Sequence, residues 1–354
     1  MSAGAQSTIE WLRADELPEL QAYIDMYWRP NHVLAVDAAL ARWQYRHPQD
    51  DSLLSVLGAR DERKRLVGFL GLVQVPFVWL GDALEAGWLA MWSAVPERRS
   101  SGLGLSLLLD AMERFEVVAA LGFNERAGRI FSALDFDVRW SLPRWVRVGD
   151  EAAYERLAGQ PPPAVGGGGL ATAHPVQAVA WSDDAATRWQ ERWRRLAPGI
   201  VGSARDAAFL RRRYVEHPSF AYVVRFAETP AGDLGALCVH RVEPVRTTES
   251  VIRIVELLGD TALTVGLARL ALEESPDAAL ADFSCTAPRS GEMLEQLGFV
   301  REDTLGEPPP DRFQPVERSR GLDGAFWRRG AGGAAFAGAP LYATRADGDQ
   351  DRPP

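Results

Sequence analysis

Between an apolar run, Trp88 to Ala94, and a helix-forming stretch, Leu105 to Phe115, the chain reads Val95-Pro96-Glu97-Arg98-Arg99-Ser100-Ser101-Gly102-Leu103-Gly104-Leu105. A buried strand, a basic turn with glycines and a helix, in that order, form a site by themselves. The helix start aims several backbone N–H groups and the positive end of a dipole at one point. Gly102 and Gly104 lack Cβ, so a ligand can reach the backbone, and Arg98 and Arg99 bring charge to the rim. A diphosphate fits that geometry. The dinucleotide fingerprint is not met, because Leu107 stands at its third glycine, and no Gly-Lys-Ser/Thr of a Walker loop follows.

The turn resembles the R/Q-x-x-G-x-G/A loop of the GNAT acyltransferases, here as Pro96, Glu97, Arg99, Gly102 and Gly104. The stretch Asn124-Glu125-Arg126-Ala127-Gly128-Arg129-Ile130-Phe131-Ser132-Ala133-Leu134-Asp135-Phe136 resembles the same family's N-x-x-A-x-x-[IL]-Y-x-x-L-G-F segment. The resemblance implies a mixed α/β fold and an acyltransferase that uses acetyl-CoA or another acyl-CoA. It puts the diphosphate on Arg99, Ser100, Ser101, Gly102, Leu103, Gly104 and Leu105, and the pantetheine arm along Trp92, Ser93, Ala94 and Val95. It adds cofactor contacts at Asn124 and Phe131. Phe131 stands where the family often has a tyrosine, and a phenyl ring cannot protonate a departing sulfur. A thiol pKa of about 8.5 makes unassisted departure tolerable. Asp135 replaces the glycine of L-G-F.

With 354 residues, two domains are expected. Apolar periodicity up to Val148 gives the order β-α-α-β-β-β-α-β-α-β, its last strand running from Val138 to Val148. Residues 159–169, Gly-Gln-Pro-Pro-Pro-Ala-Val-Gly-Gly-Gly-Gly, read as a linker. The second half repeats the first. Asp37-Ala38-Ala39-Leu40 and Tyr45 are echoed by Asp206-Ala207-Ala208-Phe209 and Tyr214, and His47-Pro48 by His217-Pro218. Two tandem GNAT-like domains are therefore expected: 1–158 binding acyl-CoA, and 170–340 forming the acceptor side, with a charged tail at 341–354. The second copy is degenerate. It reads Gly259-Asp260-Thr261-Ala262-Leu263 where the first has its glycine loop, and a carboxylate there disfavours an anion.

An amine acceptor must lose a proton, and an imidazole has a suitable pKa. His32, in the loop after the first helix, is the expected base, ahead of Asp37, Glu85 and His47. Asn31, His32, Asp347, Asp349 and Arg352 are the expected acceptor contacts. The segment Asn31-His32-Val33-Leu34 … Trp43-Gln44-Tyr45, taken with the tail, resembles two-lobed GNAT proteins of surface-polysaccharide sugar pathways. That implies the amine of a nucleotide-linked amino sugar as acceptor. Another small amine, a peptide amine, a sugar hydroxyl and a non-catalytic acyl-CoA-binding role are the alternatives. A net charge of −9 without a basic stripe argues against nucleic acid as partner. Cys238 and Cys285 lie in apolar runs, as buried thiols would, and no cysteine–histidine cluster has metal-ligand spacing. The start resembles no signal peptide, and no apolar run reaches the roughly 18 residues of a membrane helix. A cytoplasmic protein without membrane partners is expected.

Overall fold

The structure, a computed structural model, describes residues 7–163, 175–245, 248–313, 316–318 and 321–351; linker residues 164–169 and Arg352 lie outside these. The first half runs β1 (Thr8–Arg13), α1 (Leu17–Tyr23), α2 (Val33–Val36), α3 (Ala38–Gln44), β2 (Leu53–Arg60), β3 (Leu66–Trp79), β4 (Asp82–Ala94), α4 (Leu103–Arg114), β5 (Val117–Leu121), α5 (Glu125–Ala133), β6 (Asp137–Arg139), β7 (Arg144–Val148) and α6 (Glu151–Ala158). The second runs β8 (Ala178–Ala180), α7 (Asp183–Leu196), β9 (Val201–Ser203), α8 (Ala207–Leu210), β10 (Val223–Glu228), β11 (Leu234–Val245), β12 (Glu249–Gly259), α9 (Thr261–Glu273), β13 (Leu280–Ser284), α10 (Pro288–Glu292), β14 (Val300–Arg301), the hairpin of β15 (Arg312–Phe313) and β16 (Val316–Glu317), and β17 (Gly324–Arg328).

Two sheets result, ordered β1-β2-β3-β4-β5-β17-β6 and β8-β10-β11-β12-β13-β7-β14, with β9 paired to the far end of β3. They share one plan, including a single parallel pair in the middle, β4 with β5 and β12 with β13. The repeat read in the sequence is visible in its caps. Asp37 accepts the Leu40 N–H at 2.9 Å and Asp206 the Phe209 N–H at 2.8 Å, so each aspartate starts its helix. Trp43 Nε1 then donates to the Arg212 carbonyl at 3.3 Å, joining residues 169 apart across the lobes.

The lobes exchange strands. β7, from the first half, lies between β13 and β14, while β17, from the second half, lies between β5 and β6. The single strand expected over 138–148 is thus two strands in two sheets. Pro143 separates them, without an N–H for a ladder, and Ser141 turns the chain at φ +59°. The boundaries 1–158 and 170–340 do not follow the sheets.

In the first sheet the alternation of β3 sorts the layers. Gly68 faces Leu103 of α4, whereas Phe69 meets Tyr23 of α1 edge-on and Gly71 faces Tyr45, after α3. So α4 covers one face and α1 to α3 the other. The tail lies within the molecule: Leu341, Tyr342, Ala343, Thr344, Asp347, Asp349 and Asp351 are all buried. Asp347 pairs with Arg205 at 2.6 Å, and Arg205 also holds Glu256 at 2.8 Å. Ser203 bonds Asp347 at 2.6 Å and accepts from Trp88 Nε1 at 3.0 Å, tying this network to β4. Among the described residues, no helix is long and apolar enough to cross a membrane.

Candidate functional site

β4 carries one residue too many for its ladder. Leu70 pairs with Trp92 but Leu72 with Leu89, a bulge at Ala90–Met91. Parallel pairing with β5 ends at Leu89 and Ala120. From Ala90 to Ala94 the strand keeps β3 on one edge and opens on the other. A splayed edge of that kind leaves N–H and C=O groups for a ligand to pair with. Trp92, Ser93, Ala94 and Val95 all stand along or just beyond it.

The opening leads to the loop at α4. Gly102 sits at φ +83°, and a Cβ built on it would meet nothing within 4 Å. Ser106 N–H bonds the Gly102 carbonyl as the first bond of the helix. The N–H groups of Ser100, Gly102, Leu103, Gly104 and Leu105 have no backbone partner among the described residues. Arg99 is exposed and anchored to the Ala94 carbonyl at 3.3 Å. Open space, free N–H groups and a guanidinium thus meet where the sequence puts a diphosphate. Trp92 crosses the splay: its Nε1 donates to the Gly104 carbonyl at 3.0 Å and its ring stacks on Phe131 at 6.0 Å. Phe131 is buried among Trp92, Phe123 and Phe136, so it forms an apolar wall. Asn124 caps α5, accepting the Ala127 N–H at 2.9 Å.

The second lobe has the same bulge, since Val239 pairs with Glu256 and His240 with Ile254, and its parallel pairing ends at Ile254 and Phe283. Here the chain fills the splay itself. Tyr342 Oη accepts the Leu257 N–H at 3.0 Å and donates to Glu256 at 2.9 Å. Thr344 bridges Cys285 beyond β13, and Thr286 N–H bonds the Ala343 carbonyl at 2.9 Å. At the start of α9 a Cβ on Gly259 would lie 2.3 Å from the Gly235 carbonyl, and Asp260 is paired with Arg192 at 2.8 Å. One groove is open, and its counterpart is occupied.

His32 is buried and caps α2, its Nδ1 accepting the Leu34 N–H at 3.2 Å. That bond puts the ring proton on Nε2. Asn31 is exposed at φ +56°, its N–H bonded to Asp25 at 2.7 Å. The tail reaches the first lobe through Gly348, beside Trp88, and through Gln350, whose side chain packs on Gly122 at the end of β5. Asp349 is buried between them and accepts from Gln350 Nε2 at 2.8 Å. Asp347 serves Arg205 instead.

Sequence reading missed a cavity of about 30 Å³ between the lobes, lined by Trp43 and Gln44 of α3, Val73 of β3, Arg212 and Arg213 after α8, and Gly348. Val73 pairs with Trp88, two residues before the bulge. The 169-residue repeat held the signal, since it matches Trp43-Gln44 with Arg212-Arg213. A wider depression of about 620 Å³, beside β14 and lined by Glu295, Phe299 and Arg301, shares no residue with the groove or the cavity.

With this geometry the chain overlays a GCN5-related N-acetyltransferase from Anabaena variabilis, with a TM-score of 0.59 at 8% identity, over 91% of this chain and 73% of that one. The fold is the GNAT fold, in two copies. N-myristoyltransferase of Saccharomyces cerevisiae with bound myristoyl-CoA overlays it with a TM-score of 0.54 at 11% identity, over 91% of this chain and 83% of that one. A probable N-acyltransferase from Enterococcus faecalis V583 gives 0.53 at 12% identity over 78% of this chain. The present chain spans 65% of that protein, just under two thirds of its length. No protein-family model and no curated protein matches the sequence.

Proposed function

We propose that this chain is an acyl-CoA-dependent N-acyltransferase with one acyl-CoA site, in its first lobe. The observation that carries the reading is the contrast between the open splay at Ala90–Ala94, which ends on a loop of free N–H groups, and the second splay, closed by Tyr342. The N–H groups of Gly102 to Leu105 and Arg99 would hold the diphosphate, and β4 from Trp92 to Val95 the pantetheine arm. Trp92, Phe123 and Phe131 form an apolar wall beside them. Bound acyl-CoA supplies a thioester carbonyl that an amine can attack, with loss of the thiolate.

The acceptor side is the face of β4 that carries Trp88, where the tail and second lobe close over the first. Asp349, next to Gly348, belongs to that side. The finer proposal for the acceptor is the amine of a nucleotide-linked amino sugar. It is supported by the sequence resemblance and by Arg212 and Arg213, whose charge suits an anionic acceptor. His32 acts by holding α2: a second ring proton would have to enter at Nδ1 and break the cap. The protein is proposed to work in the cytoplasm.

The test is thiol release from acetyl-CoA and longer acyl-CoAs against nucleotide-linked amino sugars, free amino sugars and small amines, with calorimetry of coenzyme A alongside. One site per chain and amine-dependent thiol release are expected. Binding without release from any amine would leave an acyl-CoA-binding protein, and two sites per chain would contradict the single-groove reading.

A further inference from the structure

The interlobe cavity has an apolar wall of Val73, Val75 and Phe209, and two of its polar lining residues, Gln44 and Arg213, each carry a buried nitrogen without a hydrogen-bond partner. Arg213, 8% exposed, donates from Nε to the Ala346 carbonyl at 3.0 Å and from Nη2 to the Asp351 carbonyl at 3.2 Å, and its Nη1 has no partner. The carboxylate of Asp351 is held by Arg241 at 2.9 Å and Tyr222 at 2.6 Å. Gln44, 4% exposed, leaves its Nε2 unpaired on the other wall. Behind Trp43, ring to ring at 4.3 Å, His217 accepts the Ser219 and Phe220 N–H groups on Nδ1, so Nε2 carries an N–H that also lacks a partner. Burial and the neighbouring Arg46 and Arg213 weaken the hold of Arg212 on its proton. Each buried donor left unbonded is costly.

We infer that this cavity receives an anionic oxygen group of the acyl acceptor, bound by Arg213 Nη1 and Gln44 Nε2 with Arg212 at the mouth. This rests on the acyltransferase reading above. The volume admits one such group and no ring, so the remainder of the acceptor lies outside. Trp43 and Arg212, both half-buried, mark the outward side. The register places the reacting amine: Val73 in the cavity wall is laddered to Trp88, and the bulge where β4 leaves β5 follows two residues later. The anion is thus held on the acceptor face of the strand whose far edge would carry the thioester.

Carboxylate and phosphate present the same oxygens, and paired amines separate them. β-Alanine and β-alaninamide differ only in a carboxylate, glucosamine 6-phosphate and glucosamine only in a phosphate. Calorimetry with each, on the full chain saturated with coenzyme A, should show the anionic member of one pair binding at least tenfold tighter. Its identity names the anion. Gln44→Leu, which leaves the bonds of Arg213 to the tail intact, should shrink that preference about tenfold and leave coenzyme A affinity unchanged. Arg213→Met should abolish the preference if it folds. Equal binding within both pairs, or a preference that survives Gln44→Leu unaltered, overturns the inference. Thiol release separates the two readings. Release without an anion preference removes this inference alone, and an anion preference without release removes the enzyme alone.

Discussion

Gly102 occupies φ +83°, a conformation that costs an L-residue about 1–2 kcal/mol, and the space where its side chain would point is empty. Strain and obstruction therefore act together in Gly102→Val. Calorimetry should show coenzyme A binding lost while the circular dichroism spectrum is kept, and normal binding would remove the loop as the diphosphate site. At His32 the cap separates two roles. His32→Asn preserves an acceptor for the Leu34 N–H and should retain most activity, while His32→Ala should lose about 1 kcal/mol of stability. A fall in kcat of a hundredfold or more in a stable His32→Asn protein would restore the imidazole as base. His217 is held neutral down to about pH 3, by burial first and then Arg213, and His240 to about 4, again by burial first. Unfolded, each titrates near 6.5. Between those values the unfolded chain binds protons that the native one does not, so stability is full above about pH 6.5 and falls as the pH drops. The slope is at most about 1.4 kcal/mol per pH unit for each histidine. Thermal unfolding from pH 7 to 4.5 should follow this trend, and His217→Asn should flatten it.

Among the elements, the tail decides most. It closes the second groove with Tyr342, meets Arg205 with Asp347 and meets Arg241 with Asp351. Burial opposes ionisation of Asp351, yet Arg241 and Arg213 hold its carboxyl far below the usual range, so the group stays charged. Arg205 is fully buried between two carboxylates, and Arg205→Met would leave Glu256 and Asp347 without their cation. A loss of about 3–5 kcal/mol is expected by denaturant titration. A chain ending at Pro340 takes Asp347 from Arg205 and Asp351 from Arg241, uncovers the second groove and should fail to fold stably. Native stability in that shortened chain would mean that the tail is a solvated end.

Across the whole molecule, each sheet borrows a strand from the other half. Residues 1–158 alone lack β17, so β5 and β6 lose the strand between them, and β7 loses both its partners. The fragment should be unfolded or aggregated by size exclusion and circular dichroism, because exposed strand edges invite pairing. The intact chain should unfold in one calorimetric transition. Two separate transitions, or a folded fragment that binds coenzyme A, would show that the lobes stand independently.

Read alone, the sequence determined what depends on neighbours in the chain. The strand, glycine turn and helix at 88–115 needed only apolar spacing and two glycines, and the caps at Asp37 and Asp206 needed only a helix start. The repeat was legible because each copy buries the same faces. Three features rest on contacts between distant residues. Nothing local marks 144–148 as a strand for the other sheet, since its apolar pattern would suit either. The charged tail gave no sign of its own burial, because its partners, Arg205, Arg213 and Arg241, lie more than a hundred residues away. The unpaired nitrogens of Gln44 and Arg213 became a cavity only when two helices from different halves met. Burial turns a polar side chain into a binding demand, and burial was decided by the tertiary structure.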